Sequence, residues 1–545
     1  MAEKSAHVDT FARDNLPPPE QQPEFLFELP ELQFPPRLNC ATELLDRHVD
    51  EGRGDRPCVM APGGPRWTYA ELLDKADRIA HVLVNEMGLV PGNRVLLRSF
   101  NKPMLVACWF AVMKAGGIAV ATMPLLRAKE LGQIIGRARV SHALCDVTLR
   151  QELDDAIAKA EQPLQLRCFG DDSTDGLEAL MQRHDGRFAN VDTAADDCCL
   201  FGFTSGTTGQ PKATMHYHRD VLACCETFGR HVLRAEPDDV FIGSPPLAFT
   251  FGLGGLTLFP MRIGASTVLL EKASPDALLE AIAANKATVL FTAPTSYRAM
   301  ADRARDRKIS VANGGSLRKC VSAGEALPAA TRTLWREATG IEMIDGIGST
   351  EMLHIFVSAD EEHARPGATG IAIPGYRACV MGDDGQPVGP GVIGKLAVKG
   401  PTGCRYLNDE RQANYVKNGW NYTGDAYIVD DDGYFHYQSR TDDMIISAGY
   451  NIAAPEVEEA ILLHPAVADC AVIGVPDEER GQVVKAFVVL KQGEASDDAM
   501  VRTLQEHVKA SVAPYKYPRQ IEFCDKLPRT ETGKLQRFRL RSTAS

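Results

Sequence analysis

The sequence predicts an α/β protein: a large N-terminal domain of βαβ subdomains ending in a small β-rich subdomain, followed by a small α+β C-terminal domain. Three observations predict it. Helical patterns alternate with short apolar strands from residue 39 to about residue 370, which implies parallel strands with both sheet faces covered. The texture then shifts to short strands separated by glycine turns: Asp383-Asp-Gly385, Pro390-Gly391 and Asp431-Asp-Gly433. After Ser439-Arg440-Thr441-Asp442-Asp443 a fresh α/β pattern runs for about 105 residues, enough for one small domain.

Residues 1–38 come first, rich in Pro, Glu and Gln, with Pro17-Pro-Pro19 and Pro35-Pro36. Such a segment reads as an extended arm rather than a folded unit. A large domain spans 39–440, and a C-terminal domain spans 441–545. Tyr69 to Met87 has helical periodicity, while Arg94-Val-Leu-Leu97 and Ala143-Leu-Cys-Asp-Val147 read as strands. Met104 to Leu126 is apolar almost throughout and long enough to cross a bilayer. Lys114 and Gly116-Gly117 interrupt it, so a helix followed by a buried strand, Ile118-Ala-Val-Ala-Thr-Met123, accounts for the same residues. Further strands are predicted at Ala265–Leu270, Ala287–Thr292 and Lys319–Ser322. Each ends near a small-residue turn where a ligand can approach the carboxyl edge of a sheet.

Length and charge narrow the function. At 545 residues the chain exceeds one hydrophobic core, and its net charge of −13, from 59 basic and 72 acidic side chains, argues against a general nucleic-acid binder. Fourteen cysteines with no Cys-x-x-Cys pair, mostly in apolar contexts, read as reduced core residues. The N-terminus lacks the apolar core of a secretion signal, which points to a cytoplasmic address without membrane attachment. A monomer or homodimer is expected.

The chemistry centres on Thr204-Ser-Gly-Thr-Thr-Gly-Gln-Pro-Lys212, which follows the apolar strand candidate Cys198–Phe203. Gly206 and Gly209 let backbone N–H groups approach a polyphosphate, Thr204, Ser205, Thr207 and Thr208 add hydroxyl donors, and Lys212 adds a point charge. It is not a Walker A loop, because Gln210 and Pro211 separate Gly209 from the lysine. A solvated Ser/Thr/Gly turn would have the same composition; the order of residues is what distinguishes it. This stretch resembles the phosphate-binding signature of the adenylate-forming superfamily, which holds acyl-CoA synthetases, firefly luciferase and peptide-synthetase adenylation domains.

Four further stretches match the superfamily pattern in the same order. Ser322-Ala-Gly-Glu-Ala-Leu327 resembles the turn beside the adenine, which places Gly324 and Glu325 there. Asp345-Gly-Ile-Gly-Ser-Thr-Glu351 resembles the Tyr-Gly-x-Thr-Glu segment, implying nucleotide contacts at Asp345, Gly346, Ile347, Gly348, Ser349 and Thr350 and a Mg²⁺ ligand at Glu351. Ile347 stands where the family has tyrosine. One carboxylate beside hydroxyls suits a hard cation that bridges phosphates. Thr423-Gly-Asp425 and Arg440 resemble the ribose-binding pair, with Asp442 as the hinge between domains. Pro528-Arg-Thr-Glu-Thr-Gly-Lys534 resembles the segment whose lysine catalyses adenylation. Taken singly, each of these has a bland reading as a turn or a surface ion pair. Five ordered matches over more than 300 residues outweigh it.

The resemblance implies ATP, Mg²⁺ and coenzyme A as reactants. A carboxylate attacks the α-phosphate of ATP and expels pyrophosphate; a thiol then attacks the acyl-adenylate and expels AMP. Lys534, Glu351 and Thr204 are the residues expected to act in catalysis. For the thiol step the C-terminal domain is expected to swing about Asp442, presenting Gly449 and Tyr450 beside the pantetheine channel. A free ligase fits best, since the chain stops about eleven residues after Lys534, where a peptide-synthetase module would continue into a carrier domain. A luciferase-like oxygenase would share these motifs. A binding protein without activity would be expected to have lost Lys534 or Glu351.

The acid-binding segments expected from the family are Ala248-Phe-Thr-Phe-Gly252 and Met352-Leu-His-Ile355, with Gly346 as a further substrate-binding residue. Phe249 and Phe251 suit a flat ring, whereas a fatty acid would need a long aliphatic tunnel. These stretches resemble benzoate-type CoA ligases, and Thr214-Met-His-Tyr-His-Arg-Asp220 resembles the 2-aminobenzoate members. His354 and Thr250 are then the acceptors available to an ortho amino group, with Ile355 lining the same pocket. A buried histidine satisfied by backbone is the commoner alternative for His354.

Overall fold

The computed structural model describes residues 4–544 apart from 206–210, 442–443, 448–449, 478–479, 513 and 530–534. Gly206, Thr207, Thr208, Gly209, Asp442, Gly449 and Lys534 therefore lie outside the described residues.

Two large sheets form the main body. In the six-stranded sheet the order is Gln165–Phe169, His142–Asp146, Arg94–Arg98, Ile118–Thr122, Cys198–Ser205, Pro211–Tyr217. All neighbours are parallel until the last pair, where Cys198–Ser205 turns back antiparallel onto Pro211–Tyr217. The nine-stranded sheet carries six parallel strands, from Met343–Gly348 through Lys319–Ser322, Val289–Thr292, Val240–Gly243 and Ser266–Val268 to Pro57–Met60, with antiparallel strands at both edges. Parallel strands buried on both faces read as continuous apolar runs, which is why Val289-Leu-Phe and Val95-Leu-Leu are visible in the sequence.

The doubtful apolar stretch resolves as the helix Pro103–Lys114 followed by the strand Ile118–Thr122. Its lysine is fully buried between Asp46, at 2.6 Å, and Asp77, at 3.0 Å. Among the described residues no helix is long and apolar enough to cross a membrane. The helical pattern from Tyr69 is an α-helix to His81 with a capping box at Thr68 and Glu71, continued by a π turn, Val82–Glu86. The fourteen cysteines are free, and all but Cys379 and Cys524 are buried.

After the nine-stranded sheet comes a five-stranded antiparallel sheet of Arg377–Met381, Gly394–Lys399, Trp420–Val429, Val416–Lys417 and Phe435–Arg440. The C-terminal part holds its own five-stranded sheet around Val467–Asp477 and Gly481–Leu490, with its own core. Arg529 from this part bonds Asp469 at 2.9 Å and reaches Glu325 of the large body at 3.5 Å.

Residues 4–38 hold little regular structure but are well packed. Leu26 donates its N–H to Gly400 and Leu38 to Thr193, while Ala12, Leu26, Leu32 and Leu38 are buried. The segment is a strap against the main body, its apolar residues spaced among the prolines.

Candidate active site

The antiparallel pair Cys198–Ser205 and Pro211–Tyr217 frames the predicted phosphate loop, with Thr204 opposite Lys212 and Ser205 opposite Pro211. Thr204 Oγ1 is buried and has no hydrogen-bond partner among the described residues, as a hydroxyl awaiting a ligand oxygen would be. Two residues back, Gly202 lies so close to Thr350 that a Cβ there would fall 2.6 Å from Thr350 Cγ2. The missing side chain lets the loop-bearing strand meet the Gly348-Ser-Thr-Glu351 segment.

That segment leaves the strand Met343–Gly348 and enters a 3₁₀ turn, Thr350–Met352, capped by Ser349 Oγ, which accepts from Met352 N. The turn aims Glu351 at Lys212, with 3.1 Å between Lys212 Nζ and Glu351 Oε1. A third group joins them. Tyr406 Oη donates to the same oxygen at 2.5 Å and accepts a bond from Lys212. Burial pushes the Glu351 carboxyl up, but the Lys212 charge and the Tyr406 hydroxyl outweigh it and hold the group ionised, below the usual range. His216 Nε2 bonds the Thr350 carbonyl at 2.8 Å from behind.

This donor set fits Mg²⁺. Both Lys212 and Tyr406 contact Oε1 of Glu351, the carboxylate is ionised, and the Thr204 hydroxyl is unpartnered nearby in the fold; hard oxygen donors with phosphate completing the shell are what that ion takes.

At the ribose end Asp425 and Arg440 are direct cross-strand partners, bonded at 2.9 Å. Gly424 has φ +78°, and a Cβ there would come within 2.9 Å of Arg440 Nη2. Arg440 Nη1 also donates to the Thr423 carbonyl at 3.2 Å, so the arginine is anchored on the Thr-Gly-Asp turn. Asp345 is buried, its Oδ1 without a partner in full hydrogen-bond geometry among the described residues, and burial pushes its carboxyl up to about 7 against the pull of Arg332, Ser322 and the Gly346 backbone. Gly324, at φ +91°, turns the chain after the strand Lys319–Ser322, and Glu325 faces Arg529. Ile347 packs on the core. Tyr450 begins a strand beside Ile445–Ser447.

The acid-binding candidates divide into two layers. Phe249 and Thr250 line a narrow cavity together with Ala121, Gly202, Phe203, Leu247, Leu253 and Thr350. A second narrow cavity shares Ala121, Leu247 and Leu253 and is bounded by Leu97, Leu105, Val106, Trp109 and Thr257. Phe251 and His354 are not among either lining. They belong to an aromatic cluster behind it, where the His354 ring lies 5.9 Å from Phe251, 5.3 Å from Phe228 and 4.5 Å, edge-on, from Phe259. Gly254 makes room for the imidazole, since a Cβ there would sit 2.3 Å from His354 Cδ2. Gly346 packs against Ile355, with 2.7 Å from a built Cβ to Ile355 Cγ2. His354 is buried and neutral, its pKa pushed down to about 3 by burial. Neither ring nitrogen has a partner in full hydrogen-bond geometry among the described residues, while the Phe251 backbone interacts with the ring and opposes the shift without outweighing burial.

The comparisons with known proteins give the family. A model described as AMP-binding enzyme matches residues 45–406, and its companion, AMP-binding enzyme C-terminal domain, matches residues 456–534. The chain belongs to the AMP-binding enzyme family. A benzoate–CoA ligase of Thauera aromatica is 35% identical over 520 residues, covering 94% of this chain and 97% of that one. An anthranilate CoA ligase solved in complex with anthranoyl-AMP superposes with a TM-score of 0.88 at 32% identity, covering 95% of this chain and 99% of that one. A benzoate CoA ligase from Burkholderia xenovorans LB400 gives 0.84 at 31% identity, covering 92% and 100%. As a family member this chain is an AMP-forming acid–thiol ligase.

Sequence reasoning missed Tyr406, Tyr415, Trp109 and Thr257. Tyr415 Oη lies 3.2 Å from Ser349 Oγ, and its ring centroid is 5.6 Å from Lys212 Nζ. Trp109 Nε1 and Thr257 Oγ1 are buried without hydrogen-bond partners among the described residues. Cys-Arg-Tyr at 404–406 carries no local signal; only its long-range pairing with Thr214 brings Tyr406 to the lysine.

Proposed function

We propose that the chain is an ATP-dependent aryl carboxylate–CoA ligase with 2-aminobenzoate as its preferred acid. The observation that carries the substrate reading is His354: a buried, neutral imidazole in the phenylalanine cluster that adjoins the Thr250-lined cavity through Phe251, with a weak Phe251 backbone interaction and no partner in full hydrogen-bond geometry among the described residues. A neutral ring nitrogen accepts a hydrogen bond from an ortho amino group, and Thr250 offers a second acceptor at the cavity wall. The solved anthranilate ligase bound to anthranoyl-AMP lends support, since anthranilate is 2-aminobenzoate. Benzoate is the second reading, favoured by the mostly aliphatic lining of the second cavity.

In the first half-reaction the carboxylate attacks the α-phosphate of ATP and pyrophosphate leaves. Lys212, the loop that begins at Thr204, and Lys534 hold the phosphates, and Glu351 with the Thr204 hydroxyl would hold Mg²⁺. When bound, that ion neutralises charge on the phosphate oxygens. Asp425 takes the ribose hydroxyls while Arg440 steadies it. In the second half the CoA thiol attacks the acyl carbonyl and AMP leaves, with residues 441–545 turning about Asp442 so that Lys534 withdraws and Gly449 and Tyr450 border the thiol's path.

The test is kcat/KM for 2-aminobenzoate, benzoate, 2-fluorobenzoate and octanoate, on the wild type and on His354→Ala. Expected are AMP and pyrophosphate as products, 2-aminobenzoate as the best acid and octanoate inactive. The preference for 2-aminobenzoate over benzoate should collapse in the variant, because a site built around a hydrogen bond rejects its absence more strongly than the roughly 10–200-fold of an apolar pocket. Benzoate outrunning 2-aminobenzoate removes the amino-group reading; preference for octanoate removes the aryl pocket; ADP as product removes the ligase reading.

A further inference from the structure

Residues 405–407 lie alongside the strand Pro211–Tyr217, with Met215 N donating to the Arg405 carbonyl and Leu407 N to that of Ala213. This puts Tyr406 beside Lys212, and its side chain is buried. The segment is held from three sides. Gln412 Oε1 accepts from Tyr406 N at 2.9 Å, and Tyr415 packs edge-on at 5.7 Å. Arg405, fully buried, bonds Asp220 at 2.7 Å and is stacked between Tyr217, at 3.9 Å, and Phe25 of the N-terminal strap, at 4.3 Å.

The phenol has one proton and accepts through its lone pairs. A carboxylate only accepts and an ammonium only donates, so the direction of each bond is fixed: Lys212 donates to Tyr406, and Tyr406 donates to Glu351. Lys212 also lies 4.3 Å from the centroid of the same ring. We infer that Tyr406 is a positioning residue for adenylation, whose hydroxyl fixes Oε1 of Glu351 so that the other carboxylate oxygen remains available to Mg²⁺ and Lys212 is free to leave for phosphate.

Without the hydroxyl, Glu351 would depend on Lys212 alone for its buried charge, and the lysine would be held on the carboxylate when ATP arrives. Removing one partner of a buried carboxylate is strongly unfavourable, so the pair would tighten rather than open. This inference rests on the AMP-forming reading above.

The experiment uses Tyr406→Phe in the full chain, which keeps the ring over Lys212. Calorimetric titration with ATP and Mg²⁺ should show affinity weakened by roughly 10- to 100-fold, the size of a hydrogen bond to a charged group. KM for ATP in adenylate formation should rise in step, while thioester formation from supplied acyl-adenylate is unchanged. In a Glu351→Gln background the same substitution should cost less than about threefold, since the carboxylate it serves is gone. Unaltered ATP affinity in Tyr406→Phe, equal loss in both half-reactions, or full additivity with Glu351→Gln overturns the inference. Absence of AMP formation by the wild type would instead overturn the parent reading.

Discussion

At the proposed phosphate end of the site Glu351, Lys212 and Tyr406 satisfy one another within bonding distance, with Asp220, Arg405 and His216 behind them. At the proposed acid end His354 sits among phenylalanines with neither nitrogen in full hydrogen-bond geometry with a partner among the described residues. Both regions are buried, and the difference follows from charge. An isolated ion in a low-dielectric interior costs far more than a folded domain can supply, so every buried charge at the phosphate end has an opposite neighbour. A neutral imidazole left unsatisfied costs about 1–3 kcal/mol, which a fold can carry and a ligand can return. Paired charges hold a geometry; an unpaired neutral group selects a partner.

The widest break in that contrast comes from removing one charge at the phosphate end. Asp220 and Arg405 are both fully buried and 2.7 Å apart, and Asp220 is held ionised against burial chiefly by Arg405. Asp220→Ala leaves the guanidinium without its counter-ion, and urea unfolding should show a loss of roughly 3–5 kcal/mol. A loss under about 1 kcal/mol would mean that water or a relaxed backbone replaces the carboxylate and that the phosphate end is not built on pairing.

How much of this was legible follows the same division. The fold class could be read because buried parallel strands are continuous apolar runs: Lys319–Ser322 has the bounds expected, and Arg94–Arg98 differs by one residue. The family could be read because phosphate chemistry needs contiguous hydroxyl, glycine and lysine residues. Tyr406 was illegible, since it lies 194 residues from Lys212 and reaches it only through strand pairing. The layering of the acid end was hidden too. Phe249, Thr250 and Phe251 are consecutive, but the turn into the helix Thr250–Leu253 sends the first two to the cavity and the third to the cluster around His354. Sequence shows which residues are near one another, and backbone direction decides which of them face a ligand.

Proton linkage sharpens the comparison next. The His354 imidazole has its pKa lowered from 6.5 to about 3 by burial, so between those values the unfolded chain binds a proton that the folded chain does not. The stability tied to this neutral ring is whole above pH 6.5 and drains away as pH falls toward 3. Between pH 7 and pH 5 that amounts to roughly 2 kcal/mol. Glu351, with its pKa lowered from 4.5, contributes stability that is lost only as pH falls below that value. Urea unfolding at pH 7 and pH 5 should therefore show a steeper loss for the wild type than for His354→Leu. Parallel slopes would mean that the imidazole accepts its proton in the fold.

The smallest effect is the most diagnostic, because its sign is opposite to that at Asp220. His354→Leu replaces a poorly satisfied polar ring with an apolar side chain of similar volume and different shape among Phe228, Phe251 and Phe259. Two terms compete. Relief of the poorly satisfied ring nitrogens favours the variant by about 1–3 kcal/mol, while the branched shape in the tight space beside Gly254 and the lost edge-on contact with Phe259 oppose it by about 1 kcal/mol. The net should be a gain of about 1 kcal/mol at pH 7, seen as a rise of a few degrees in Tm, accompanied by loss of the preference for 2-aminobenzoate. A variant that is both less stable and still selective would show that the imidazole is a packing element satisfied within the fold, and that the acid end selects through Thr250 or the Trp109 and Thr257 groups of the second cavity instead.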